Sequence, residues 1–128
     1  MSIFDDAPDG IQPAPAEPRL VAAGAQVRLR EINLGHIRDK DDLMLAFTND
    51  LPLTIGFGRN WDALYDVLSD PEIMPERLAL VLCDYPDFQR HHAKLAAELG
   101  RVLLDAQMAL AGHGKALWLL WDLPESEG

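Results

Sequence analysis

The chain has 128 residues, with 21 Asp and Glu against 11 Lys and Arg, and carries a formal charge of −10 at pH 7. That length is one domain's worth of chain, and a 48% hydrophobic content lets it bury a self-sufficient apolar core. The acidic balance argues strongly against nucleic-acid binding, which needs clustered Lys and Arg to release counterions. It equally disfavours anionic membrane surfaces and points to a basic protein as the partner.

A lone cysteine, Cys83, has no partner for an intramolecular disulfide, and no Cys/His set has the spacing of a zinc site. The start of the chain lacks the basic and apolar stretches of a signal peptide, and the longest apolar runs, Leu78–Cys83 and Ala116–Trp121, are too short to span a membrane. The expectation is a cytoplasmic protein with no metal or other cofactor.

In chain order, residues 1–24 read as a flexible, Pro-rich acidic tail. Pro8, Pro13, Pro15 and Pro18 fall among four acids, with no basic residue before Arg19. Ile3 and Phe4 are what such a tail would offer if it were an arm gripping a partner. Residues 25–122 read as the folded domain and residues 123–128 as an acidic C-terminal tail.

Imperfect alternation predicts a first strand over Ala25–Asn33. Asp41 and Asp42 suit a helix N-terminus, and Leu43, Phe47 and Leu51 repeat at four-residue spacing, so a helix is expected over Lys40–Asn49. Pro52, Gly56 and Gly58 mark a loop, after which Asn60 is placed to cap a helix over Trp61–Ser69. Pro71 and Pro75 break the chain before Leu78–Cys83, a short, continuously apolar run that reads as a buried strand.

A short helix is expected near Tyr85–Asp87, with Pro86 in its first turn. Leu95, Leu99, Val102, Leu103, Ala106 and Leu110 keep helical spacing, with Gly100 a candidate interruption and Gly112 or Gly114 the stop. Lys115–Asp122 forms the last strand. Strands alternating with helices predict an α/β fold: a small sheet of three parallel strands packed with helices.

The stretch from Phe57 to Leu68 carries the most information. At 100° per residue, Trp61, Leu64, Tyr65 and Leu68 form one stripe, while Asp62 and Asp66 stack on the flank beside Tyr65. Like charges four apart cost a helix about 0.2–0.5 kcal/mol, partly offset for Asp62 by the positive first turn. Either this is simply a solvated face or the pair is kept for a partner.

Other chemistry fits less well. Gly56-x-Gly58 lacks the third glycine and the preceding strand of a phosphate-binding turn. Two carboxylates on one protruding helix do not flank a cleft as an acid/base pair would, so no enzyme is expected. His91 and His92 point about 100° apart and read as solvated, not as metal ligands. Cys83 reads as a packing residue. Trp118 and Trp121, three apart in a strand, should lie on opposite faces of the sheet.

The string Gly58-Arg59-Asn60-Trp61-Asp62-Ala63-Leu64-Tyr65-Asp66-Val67-Leu68 closely resembles the barstar family, whose pattern here is Tyr-Gly-x-Asn-x-Asp-Ala-Leu-aromatic-Asp-x-Leu. The order of elements around it agrees, including Asp84-Tyr85 and Phe88 after a strand, over about residues 25–122. The resemblance implies a three-stranded parallel α/β domain that inhibits a secreted guanyl-type ribonuclease while that enzyme is still inside the producing cell. Its complex is a standard example of electrostatic steering with one dominant aspartate.

Carried over by resemblance, Asp66 is the principal carboxylate, taking the place of the substrate phosphate, and Asp62 supports it. Gly58 and Asn60 shape the loop and helix start, Tyr65 is an aromatic contact, and Gly56, Phe57 and Arg59 belong to the contacting loop. The implied partner is a basic ribonuclease or toxin, bound one-to-one by a monomer.

The chain departs from the pattern in three places. Gly56 stands where the family has a large aromatic residue and Phe57 replaces a tyrosine. The loop Asp70-Pro71-Glu72 lacks the family's aromatic. The family's further acid on the long helix falls near Met108 or Ala109, with Asp105 the nearest carboxylate. These departures leave a second reading open: a barstar-fold interaction or regulatory module with a non-nuclease partner.

The charge is not spread evenly. Residues 39–76 hold nine acids against Lys40 and Arg59, a net of −7, so the negative end of the domain surrounds the helix bearing Asp62 and Asp66.

Overall fold

A computed structural model describes residues 2–50 and 60–122. Among these residues the chain forms an α/β fold with four strands: β1 (Ile11–Pro13), β2 (Arg28–Asn33), β3 (Arg77–Cys83) and β4 (Ala116–Asp122). All neighbours are parallel and the order is β1-β4-β3-β2. The expected sheet of three strands is therefore corrected to four, the extra one coming from the N-terminal segment. The helices are α1 (Pro18–Gly24), α2 (Lys40–Asp50), α3 (Trp61–Leu68), α4 (Tyr85–His91) and α5 (Ala93–Ala111).

The central strands explain the architecture. β3 and β4 are apolar at nearly every position because both of their faces are covered, as parallel strands require. Leu80 pairs with Leu119 and, on the other side, with Arg30. One face of the sheet, with Ile32, Leu78, Leu80, Leu82, Leu117 and Leu119, packs against Leu43, Met44 and Phe47 of α2, Leu64 and Leu68 of α3, Phe88 of α4, and Leu99, Leu103 and Leu110 of α5. The other face, with Ala79, Val81, Trp118 and Leu120, packs against Phe4, Ala22 and Val27. Trp118 and Trp121 do lie on opposite faces, Trp121 against the helical side.

The N-terminal residues, expected as a flexible tail, are folded onto that second face. Ser2 caps a 3-10 turn over Ile3–Asp5, Phe4 is 2% exposed, β1 pairs with β4, and α1 buries Ala22. Composition hid this because four prolines and four acids punctuate the stretch and break any helical or strand period. The local signal was Pro18 at the start of α1, where a missing N–H costs nothing. The first long strand also starts later than expected, at Arg28. Ala25 ends α1 by donating to Val21 and Ala22 carbonyls, and Gln26 turns the chain at φ 60.

α5 runs through Gly100 without interruption. It stops at Gly112, and Gly114 at φ 75 lets Lys115 N–H return to Leu110 O at 2.9 Å. Leu51, Pro52 and residues 123–128 lie outside the described residues. Phe4→Ala tests the folded N-terminus. A loss of about 3–5 kcal/mol in denaturant unfolding, with a red shift of tryptophan emission as Trp118 loses its cover, is expected; a free tail would leave both unchanged.

Candidate functional site

The local sequence builds α3 as a rigid platform. Asn60 is extended (φ −147, ψ 166), so its side-chain carbonyl can accept the Ala63 N–H at 2.7 Å while its backbone carbonyl accepts from Leu64 at 3.1 Å. This is the capping role expected of Asn60. At the far end the Ser69 hydroxyl and N–H both donate to Tyr65 O, at 2.6 and 2.9 Å. Leu64 and Leu68 are 0% exposed, and α3 packs against α5. Trp61, Tyr65 and Val67 are half-buried against the same core.

Asp62 and Asp66 are both exposed. At 100° per residue Asp66 points away from the Leu64–Leu68 stripe, and Asp62 lies one turn earlier on the same outward side. Among the described residues neither carboxylate forms an ion pair or accepts a hydrogen bond.

Asp42, in the first turn of α2, gives the contrast. Its carboxylate accepts from the Arg38 Nε–H and backbone N–H, each at 3.0 Å, and the side-chain hydrogen bond, then the backbone one, holds its pKa below the ordinary value. A lowered pKa means that this pair stabilises above the usual carboxylate range and ceases to do so as pH falls through the lowered value. The charge on Asp42 is satisfied within the chain; those on Asp62 and Asp66 are presented outward.

The structure therefore brings Asn60, Asp62, Tyr65 and Asp66 together on one helix. Gly56, Phe57, Gly58 and Arg59 lie outside the described residues. On α5, Met108 is 73% exposed, Ala109 is half-buried and Asp105 is exposed one turn before Ala109, so the C-terminal half of that helix presents one carboxylate beside the exposed Leu104 and Met108.

Other candidates fall away from α3. His91 is exposed, with Nδ1 2.9 Å from Asp87 O. His92 is half-buried, its ring centroid 5.7 Å from that of Phe88, which corrects its reading as solvated. Among the described residues no three His, Cys, Asp or Glu side chains are grouped to hold a metal ion, and no helix is long and apolar enough to cross a membrane. A groove of about 720 Å³ is lined by Pro13–Leu20, Glu31, Trp121 and Asp122, with no residue of α3.

Residues 27–122 match the family model described as Barstar (barnase inhibitor). The chain belongs to the barstar family. A comparison with curated proteins finds no match. The barstar family is a family of inhibitors, not of enzymes, and its match contains the whole of α3 and α5. The match begins at Val27, so β1, α1 and the turn bearing Phe4 stand outside the family domain although they pack on it. Sequence reasoning missed that segment and also Gln107, which is buried; the one local signal was its position on the apolar stripe, four after Leu103 and three before Leu110.

Because Asn60 caps α3 through a single side-chain acceptor, Asn60→Ala should cost about 1 kcal/mol in denaturant unfolding. Asp66→Ala should be neutral or slightly stabilising in the same assay, since it relieves the i,i+4 repulsion with Asp62. A large stability loss from Asp66→Ala would show that its carboxylate has a structural partner.

Proposed function

We propose that this barstar-family chain blocks the active site of a basic ribonuclease or ribonuclease-type toxin in a one-to-one complex. Asp66 is the principal carboxylate, Asp62 its support, and Tyr65 a flanking aromatic contact. Asn60 and Gly58 set the helix start and loop, and Gly56, Phe57 and Arg59 supply the remaining loop contacts. The observation that carries this reading is a pair of exposed carboxylates with no partner among the described residues, held on a helix anchored by two fully buried leucines.

The chemistry follows from that arrangement. A carboxylate on a fixed backbone can accept paired, charge-assisted hydrogen bonds from guanidinium groups that would otherwise hold substrate phosphate. Burying it is tolerable only against fixed positive charge, so an uncharged surface would not serve. The net −7 of residues 39–76 extends the attraction beyond contact distance, within the reach that salt allows. Blocking a site requires complementarity and no turnover, so the function needs no cofactor.

The test is inhibition of RNA cleavage by a basic guanyl-type ribonuclease, read by titration. Wild type should inhibit, with affinity falling as salt rises. Asp66→Ala should weaken inhibition at least tenfold, corresponding to the roughly 1.5–3 kcal/mol of a hydrogen bond to a charged group. If wild type and Asp66→Ala behave alike, the proposal fails.

One observation favours a second reading, a barstar-fold module for a non-nuclease partner: the exposed Met108 on the outward face of α5. Capture of a non-nuclease whose binding ignores Asp66→Ala would decide for it.

A further inference from the structure

The two central strands meet the outer edges of the sheet in different ways. β2, at one edge, carries Arg28, Arg30 and Glu31 along its six residues. Charges on an edge strand discourage pairing with another chain, because a neighbour would have to desolvate them. β4 has no such protection. From Ala116 to Trp121 it is six uncharged, apolar residues, and the first charge is Asp122 at its end. If β1 left, Leu119–Trp121 would lose their partner strand, and the six apolar residues of β4 would form an edge with a row of unpaired N–H and C=O groups.

β1 makes a better edge than the strand it covers. It is only three residues long and ends in Pro13, which has no N–H to offer a further strand. Its attachment is dense for its length. The Ala14 N–H donates to Trp121 O at 2.9 Å, continuing the ladder past Pro13.

At the other end, Gln107 of α5 is, among the described residues, the one buried polar side chain. Its Oε1 accepts from the Gly10 N–H at 2.9 Å, and its Nε2 donates to Gly10 O at 3.2 Å and to Leu117 O at 2.9 Å. One amide thus holds both backbone groups of Gly10 and ties them to β4, as a neighbouring strand would. Beyond Gly10, Phe4 stacks edge-on against Trp118 at 5.1 Å. Arg77 donates to Phe4 O at 3.0 Å, with its guanidinium 5.0 Å from the Trp118 ring centroid.

We propose that residues 2–24 are an edge guard for β4, latched by Gln107, and that the surface they cover is one that pairs with a second copy of this chain when the latch is removed. The latch is independent of Asp62 and Asp66, so the inference stands whether or not the chain inhibits a nuclease.

Two full-length variants test it: Gln107→Leu, which keeps the bulk and removes the three hydrogen bonds, and Ile11→Asp, which lies in the guard and leaves the family domain intact. Hydrogen exchange should show the β4 amides at least tenfold less protected than in wild type while the β2–β3 amides keep their protection. Sedimentation should show concentration-dependent self-association absent from wild type. If β4 protection and sedimentation match wild type in both variants, the guard is dispensable and the proposal fails. It also fails if protection falls equally across β2, β3 and β4, because the N-terminal segment would then be ordinary core and not a guard. Should Gln107→Leu not fold, Ile11→Asp decides alone.

Discussion

The parallel pairing of β3 with β4 is the constraint on which the rest of the molecule depends. Two strands that are apolar on both faces are stable only if both faces are covered, and a parallel pair cannot be joined by a tight hairpin. The crossover elements α4 and α5 therefore lie over one face, and α2 and α3 share that layer because they link β2 to β3. The remaining face, with Trp118 at its centre, must be closed by something else. In this chain the residues before the family domain close it.

The same packing makes the candidate site what it is. α3 has eight residues, too few to hold its shape alone in water. Its rigidity is borrowed from Leu64 and Leu68 in the core, from the Asn60 cap, and from α5 alongside. That anchorage lets the opposite side of the helix present Asp62 and Asp66 in a fixed geometry without supplying them with partners. A carboxylate that is locally unhelpful to its helix and unpaired among the described residues is available to an external cation. Asp42, similarly placed at the start of α2 but bonded to Arg38, is not.

Much of this was legible in the sequence, for identifiable reasons. Leu78–Cys83 and Ala116–Asp122 declare themselves by uninterrupted apolar character, Asn60 by its position before an amphipathic helix, and Asp62 and Asp66 by their spacing. The family match over residues 27–122 agrees with the likeness carried by Gly58–Leu68. The N-terminal segment was not legible in the same way. Phe4, Ile11 and Ala22 lie in a stretch punctuated by acids and prolines, and each is covered, Ile11 only in part, by a partner distant in the chain: Trp118, the edge of β4, and the second face of the sheet. Composition averages such residues away. The same holds for Gln107, whose partners Gly10 and Leu117 become neighbours only when the N-terminal strand is laid beside β4.

By itself the sequence determined the alternation of helices and strands, the parallel sheet, and the helix that bears the paired carboxylates, because these rest on periodicity, capping and charge within a few residues. Tertiary structure alone decided that the sheet has a fourth strand, that the proline-rich start of the chain is part of the fold, and that Asp62 and Asp66 are left without partners among the described residues while Asp42 is not. Each of these depends on which distant surfaces meet, and a local pattern of residues does not encode that.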